Sequence, residues 1–351
     1  MKEEVCGYGP QGWGTYEMER KDWSTLKFIC ERQTPKAEHV ISPGLVDLHI
    51  HGAFGIDFMT ASQQEMIELA ESLPGYELFL PTTVTAPLEE VERAISNLPQ
   101  HRKIGGFHLE GPFISPKHPG AQPPEAIINY AEHAEEWQGV LIDPRLKLIT
   151  LAPEQDEIQM LIRELNGRGV IVSMGHTDAD YNEAITGIGM GVTHATHTFN
   201  AMRGFHHREA GTVGATLLDD RVYAELIFDD KHVSQAAAQL LFRMKGPDRV
   251  IAVSDSTLAS GLKSGTEITM WGHECIVGED EVRLKSNGAL AGSAVTLDKI
   301  FKNIATTFGY ELAIRSCCLN PRNELGISSE PTIWNLWDGN GVHLSTFDTQ
   351  N

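Results

Sequence analysis

The stretch "PGLVDLHIHGAFGIDF", Pro43 to Phe58, decides how the rest of the chain is read. Its segment "LVDLHI" is an apolar run behind a Pro-Gly pair, the pattern of a buried strand. Side chains alternate faces along a strand, so Asp47, His49 and His51 point one way and Leu48 and Ile50 the other. Two imidazoles on one face of a strand end can grip a single cation. They can equally be a pair of hydrogen-bonded structural histidines. H-x-H alone does not separate these readings, so any further ligands must come from elsewhere in the chain.

Outward from this strand the chain has a rhythm. Thr60 to Leu73 reads as a helix, with Thr60 and Gln63 as a capping box and Met66, Leu69, Ala70 and Leu73 as its apolar stripe. Then come "LFLPTTV", "IGGFHLE", "LKLITLA", "VIVSMG", "GVTHAT", "VYAELIF" and "RVIAVSD", each strand-like and separated by polar or amphipathic stretches. Eight strands in βα alternation predict an α/β fold, a TIM-like (β/α)8 barrel. A doubly wound open sheet shares the alternation but would spread the polar residues along a line. Here they fall at the ends of several strands: His49 and His51, Glu110, His176, His197, Asp229 and His232, and Asp255. A barrel gathers all of those ends on one rim.

The flanks differ in character. Residues 1–42 are polar and aromatic, with strand-like pieces such as "TLKFIC". After the eighth strand comes a Gly-punctuated, hairpin-like run, "GTEITMWGHECIVGEDEVRLKSNGALAGS", and then a helix, "VTLDKIFKNIATTFG". The tail "TIWNLWDGNGVHLSTF" reads as two short strands. The expected division is a barrel over 43–319 and a small β domain built from 1–42 plus about 320–351.

Composition narrows the function. The 351 residues carry 28 Lys and Arg against 48 Asp and Glu, a net charge of −20. Such a chain repels polyanions, so nucleic acid and anionic membrane surfaces are excluded as partners. No apolar run approaches the ~18 residues of a membrane span, and "MKEEVCGYGP" has no signal-peptide core, so a cytoplasmic location is expected. Five cysteines, an odd number without a C-x-x-C pair, fit neither a disulfide framework nor a cysteine zinc site.

The polar strand ends form a mixed set. Glu110 ends an apolar strand, where a carboxylate is rarely buried without a partner. His108 shares its face one step deeper and reads as support. His194 lies inside its strand and reads as structural; His197 lies past the strand end and is the better ligand. His49, His51, Glu110, His176, His197 and Asp255 together exceed one tetrahedral site. They suffice for two divalent metals bridged by Glu110, or for one metal with Asp255 held back as a base. Imidazole and carboxylate suit Zn²⁺ first, with Fe²⁺ or Mn²⁺ as alternatives.

The motifs "PGLVDLHIHG", "GFHLEGPFISP", "MGHTDADYNEA", "THATHTFNAM", "FHHREAG", "IAVSDST" and "GALAGS" occur in this order between Pro43 and Ser293. In them the chain resembles the amidohydrolase superfamily, and within it the N-acetylglucosamine-6-phosphate deacetylases. The resemblance runs from about Pro43 to Ile327. It implies a barrel with a small β-sandwich domain from both chain ends, and hydrolysis of the acetamide of a phosphorylated amino sugar in amino-sugar catabolism. By motif it implies Glu110, His176 and His197 as the main metal ligands and Asp255 as catalytic acid/base. His49 and His51 match members that bind a second metal. His232 matches a contact to a substrate hydroxyl, and Asn200 and Ala201 match positions whose backbone amides meet the sugar phosphate. His207 and Arg208 match a phosphate-side segment that can come from the neighbouring subunit of a homodimer.

Two departures stand out. Where some members have a histidine that polarises the acetamide carbonyl, this chain has Gln122, which can donate a hydrogen bond but cannot titrate. His118 is the other nearby donor. The tail "WNLWDGNGVHL" is a degenerate version of the family's closing pattern. Alternatives stay open at this stage: the N-acetylgalactosamine epimer, a cyclic amidase or deaminase on the same scaffold, or a non-enzymatic sugar-phosphate-binding regulator.

Overall fold

The computed structural model describes residues 2–19, 22–31, 38–327 and 330–350. Eight parallel strands run through its centre: Leu45–Ile50, Tyr76–Pro81, Phe107–Glu110, Leu146–Leu151, Ile171–Met174, His194–Ala195, Tyr223–Leu226 and Val250–Ala252. The third to the eighth form one sheet in sequence order, and the first pairs with the second. Parallel bridges from Phe79 to Ile104 and from Thr82 to His108 join the second strand to the third. A bridge from Ile50 to Ser256 joins the eighth strand's end to the first, so the ring closes. Each strand leads into a helix on the outside, the first being Gln63–Ser72 and the last Leu297–Phe308. This is the (β/α)8 arrangement, in which the C-terminal strand ends share one rim.

Periodicity builds the outer layer. In the helix Ile158–Gly167, Ile158, Leu161, Ile162 and Leu165 are the buried residues, a spacing that makes one face. The first helix starts two residues later than its sequence suggests. Ser62 is its N-cap and Glu65 closes the capping box, with Ser62 N donating to Glu65 Oε2 at 2.8 Å. A glutamate three residues on makes a charge-assisted return bond, whereas Thr60 is turned back to Asp57 O at 3.5 Å.

Both chain ends meet in a six-stranded sheet of order His343–Asp348, Ile333–Asp338, His39–Pro43, Lys2–Gly9, Gly12–Glu19, Asp22–Cys30. Val5, Tyr16, Met18, Ile41, Trp334 and Leu336 form its own core. Trp337 ties the sheet to the barrel: its ring stacks on Phe301 at 3.9 Å between centroids, and its Nε1 donates to Ser42 Oγ at 2.8 Å. The short helix Asn320–Glu324 sits under the barrel, where Asn320 Nδ2 donates to Pro247 O and Val250 O, both at 2.8 Å. The run after the eighth strand is a four-stranded antiparallel sheet, Glu267–Met270, His273–Val277, Glu281–Leu284 and Leu290–Ser293. Among the described residues no helix is long and apolar enough to cross a membrane.

Candidate metal centre

The rim gathers the polar strand ends. Glu110 Oε1, His176 Nε2 and His197 Nε2 form one triad: each imidazole nitrogen lies 3.2 Å from the carboxylate oxygen, and the two nitrogens are 3.1 Å apart. His49 Nε2, His51 Nε2 and Asp255 Oδ1 form a second, at 3.2 Å between the histidines and 3.4 and 3.2 Å to the carboxylate. Glu110 lies between them, with Oε1 3.4 Å from His49 and Oε2 3.3 Å from His51. The eighth strand's end is pinned to the first by Asp255 N donating to His49 O at 2.9 Å. His176, His197 and Asp255 all have left-handed backbones, with φ of 47°, 31° and 48°. Each such residue costs about 1–3 kcal/mol, a strain that gathers at functional sites.

The donor set fits a divalent cation. Two metal–nitrogen bonds of about 2.0–2.1 Å at a tetrahedral angle put their donors roughly 3.3–3.4 Å apart, close to the spacing found in both triads. Four imidazole nitrogens and two carboxylates converge, and neutral imidazoles have too few protons to join all the pairs. The outer nitrogens are partly braced, as metal-ligating histidines require: His176 Nδ1 meets His118 O at 2.9 Å and His51 Nδ1 meets Thr82 O at 3.1 Å.

Electrostatics point the same way. Burial opposes ionisation of Glu110, but His49, His176 and His197 outweigh it and hold its carboxyl well below the usual range. Asp255 is likewise resisted by burial, yet His49 and His51 bring it down to about 2. Burial works against charge on His51 too, and Asp255 and Glu110 still raise it to about 9. The buried carboxylates demand positive charge, which protonated histidines or a bound cation can supply.

A cavity of about 180 Å³ opens above the triads, lined by His51, Gln122, Asn200, Ala201, His232 and Trp271 among others. Gln122 is committed: its Oε1 accepts from Thr85 N at 2.7 Å and its Nε2 donates to Glu110 Oε2 at 2.6 Å. It steadies the carboxylate between the triads. His118 is turned away, its Nε2 lying 3.2 Å from Asp178 Oδ1. His232 Nδ1 meets Asp229 Oδ2 at 2.7 Å, leaving its other edge toward the cavity. Asn200 spends its backbone N–H on His197 O at 3.0 Å, which closes the turn, while Ala201 lines the wall. His207 and Arg208 do not reach the cavity. They are exposed, with Arg208 Nη1 2.9 Å from His207 Nε2.

His108 is buried beneath His49, with ring centroids 4.7 Å apart, and its Nε2 meets Thr150 Oγ1 at 2.8 Å. His194 is buried and stacked on Tyr223. Glu225 escaped the sequence reading. It is fully buried in the seventh strand, its Oε2 accepts from His197 N at 3.2 Å, and it approaches His49 Nδ1 at 3.6 Å. A lone carboxylate inside "VYAELIF" was the available signal, by the same reasoning that singled out Glu110. Trp271 was missed as well. It sits at the turn between the strands Glu267–Met270 and His273–Val277, with φ 54°, and its ring lies 4.9 Å from that of His51.

Comparison with known proteins adds independent support. The amidohydrolase family pattern matches residues 40–330. The N-acetylglucosamine-6-phosphate deacetylase of Bacillus subtilis (strain 168) is 39% identical over 285 residues, covering 77% of this chain and 70% of that protein. The N-acetylgalactosamine-6-phosphate deacetylase of Escherichia coli O157:H7 is 33% identical over 306 residues, covering 84% of this chain and 80% of that protein. Among solved structures, the crystal structure of N-acetyl-D-glucosamine-6-phosphate deacetylase from Mycobacterium smegmatis superposes with a TM-score of 0.85 at 26% identity. That match covers 99% of this chain and 98% of the other.

Proposed function

The chain belongs to the amidohydrolase family, and from that premise we propose that it hydrolyses the acetamide of N-acetyl-D-glucosamine 6-phosphate to D-glucosamine 6-phosphate and acetate, in amino-sugar catabolism. The observation that carries the reading is Glu110, a buried carboxylate within 3.4 Å of donors from both triads. Glu110, His176 and His197 would hold one divalent cation, and His49 and His51 a second, with Zn²⁺ the best match to the donors. Such a cation brings the pKa of water toward neutrality and stabilises negative charge on a carbonyl oxygen.

The chain's own groups do the rest. Asp255 lines the cavity and takes the proton of the attacking water. It then returns that proton to the amide nitrogen as the C–N bond breaks. Gln122 Nε2 keeps the Glu110 carboxylate oriented. His232, oriented by Asp229, offers a ring N–H to a sugar hydroxyl. Ala201 and Asn200 border the side where the phosphate enters. His207 and Arg208 of a second copy of this chain complete the phosphate site in a homodimer; in support, the pair is exposed and does not line its own cavity. Arginine suits a phosphate dianion through paired N–H donors. The buried thiols of Cys275, Cys317 and Cys318 support a reducing compartment, the cytoplasm.

The test is release of acetate from N-acetylglucosamine 6-phosphate by the purified protein, with N-acetylgalactosamine 6-phosphate as competitor. Turnover that favours the gluco epimer and stops on chelation is expected. Turnover of the galacto epimer alone would reassign the substrate, and turnover of neither would end the reading.

A further inference from the structure

A second cavity, about 450 Å³, lies beside the metal cavity, and Trp271 lines both. Its walls are mostly apolar: Met59, Val84, Ala86, Pro87, Leu258 and Met270. The partition between the two cavities is the Trp271 indole on one side and the Gln122–Thr85 hydrogen bond on the other. Trp271 is fixed there from two directions. Its Nε1 donates to Asp57 Oδ2 at 3.0 Å, and its ring packs edge-on against His51. It also occupies a turn position with φ 54°, followed by Gly272 with φ 79°, a pair of conformations that favours Asn or Gly over a bulky residue.

The direction of a bound amide follows from the two ends of the metal cavity. Ala201 lies beside His176, since a Cβ built on Gly120 would be 3.2 Å from His176 Cε1 and 3.7 Å from Ala201 Cβ. Trp271 lies at the other triad, against His51. On the reading above, with the phosphate on the Ala201 side and the amide nitrogen at Asp255, the wall left for the acyl group is the one that carries Trp271. We propose that Trp271 is the acyl-specificity residue: its indole ends the acyl site after one methyl group and shuts off an apolar cavity that would take a longer, uncharged N-acyl chain. Asp57, Glu90 and Glu125 on that cavity's wall disfavour an anionic occupant. The assignment rests on the amide-hydrolysis reading above.

The experiment compares kcat/KM for the N-acetyl, N-propionyl and N-butyryl forms of glucosamine 6-phosphate in wild type, Trp271→Gly, Trp271→Asn and Trp271→Phe. Glycine and asparagine suit the turn's left-handed backbone, so one truncation can replace the other if either folds poorly. Wild type should lose about tenfold or more per added methylene. Either truncation should bring the acetyl-to-butyryl ratio at least tenfold closer to one at unchanged metal content. Trp271→Phe, which keeps a ring but loses the bond to Asp57, should stay selective. An unchanged ratio in the truncated variants overturns the acyl assignment while leaving deacetylation standing. Equal relaxation in Trp271→Phe would also overturn it, since the Asp57 bond and not ring bulk would then set the limit. Turnover of none of the three by wild type overturns the hydrolysis reading and the acyl assignment with it.

Discussion

The two triads use the same chemistry, two imidazoles and a carboxylate, yet hold their carboxylates differently. Glu110 is enclosed, 2% exposed at its side chain, and receives a 2.6 Å hydrogen bond from Gln122 as well as facing four histidines. Asp255 has its backbone fixed by His49 O and by Ser293 N, while its side chain is 11% exposed and borders the cavity. An enclosed carboxylate with both oxygens engaged suits a fixed ligand. Both carboxylates line the cavity, but the more exposed one is better placed to exchange a proton with a reactant. The contrast supports the proposed roles of ligand and proton carrier, which residue type alone does not separate.

Glu110→Ala should collapse the contrast, because it removes the carboxylate that lies within 3.4 Å of the histidines of both triads. Loss of both metal equivalents and of roughly 10³-fold or more in kcat/KM is expected, checked by elemental analysis beside the deacetylase assay. Asp255→Asn should separate the triads. We expect kcat to fall about 10²- to 10⁴-fold while the Glu110, His176 and His197 site keeps its metal. A variant with near-normal kcat would remove the proton-carrier role. Gln122→Leu tests whether the enclosure of Glu110 matters: metal affinity should weaken by about 10- to 100-fold, read by competition with a chelating dye.

The smallest effect concerns the His232–Asp229 pair, which belongs to neither triad. Burial resists charge on His232, but Asp229 raises its pKa; burial resists charge on Asp229 too, but His232 lowers its pKa. The raised histidine contributes stability below its unfolded pKa of about 6.5 and loses it as pH climbs through the folded value. The lowered aspartate contributes above about pH 4 and loses it on acidification. Denaturation of wild type and His232→Asn should therefore differ most between about pH 4 and 6.5, and converge in alkali. A gap that stays constant to high pH would show that the pair is not an ionic one.

Much of this was readable in the chain because it is local. "LVDLHI" is a strand over the same residues, Leu45–Ile50; the second strand, Tyr76–Pro81, starts two residues ahead of "LFLPTTV", and the third to the eighth fall within their apolar runs. The groups at their ends meet because a barrel rim leaves them no other place. What escaped depends on contacts distant in sequence or on backbone conformation. Gln122 reads as a carbonyl donor until Glu110 Oε2 is seen to take its Nε2 and Thr85 N, 37 residues away, its oxygen. Glu225 shows its role only through His197 and His49, 28 residues and more away, and Trp271 is hidden by a turn whose left-handed φ no periodicity reveals. The capping box shifted to Ser62 and Glu65 because two overlapping candidates differ only in the strength of the return bond.

The most direct test of the account is metal content by elemental analysis, with deacetylation of N-acetylglucosamine 6-phosphate assayed on the same sample before and after chelation. The account predicts about two divalent cations per chain, one for each triad, with Glu110 within 3.4 Å of histidine nitrogens from both. It also predicts activity that disappears with the metal and returns on its restoration. One cation per chain with full activity would contradict the shared site and return His49 and His51 to a structural role. Full activity without metal would contradict the account as a whole.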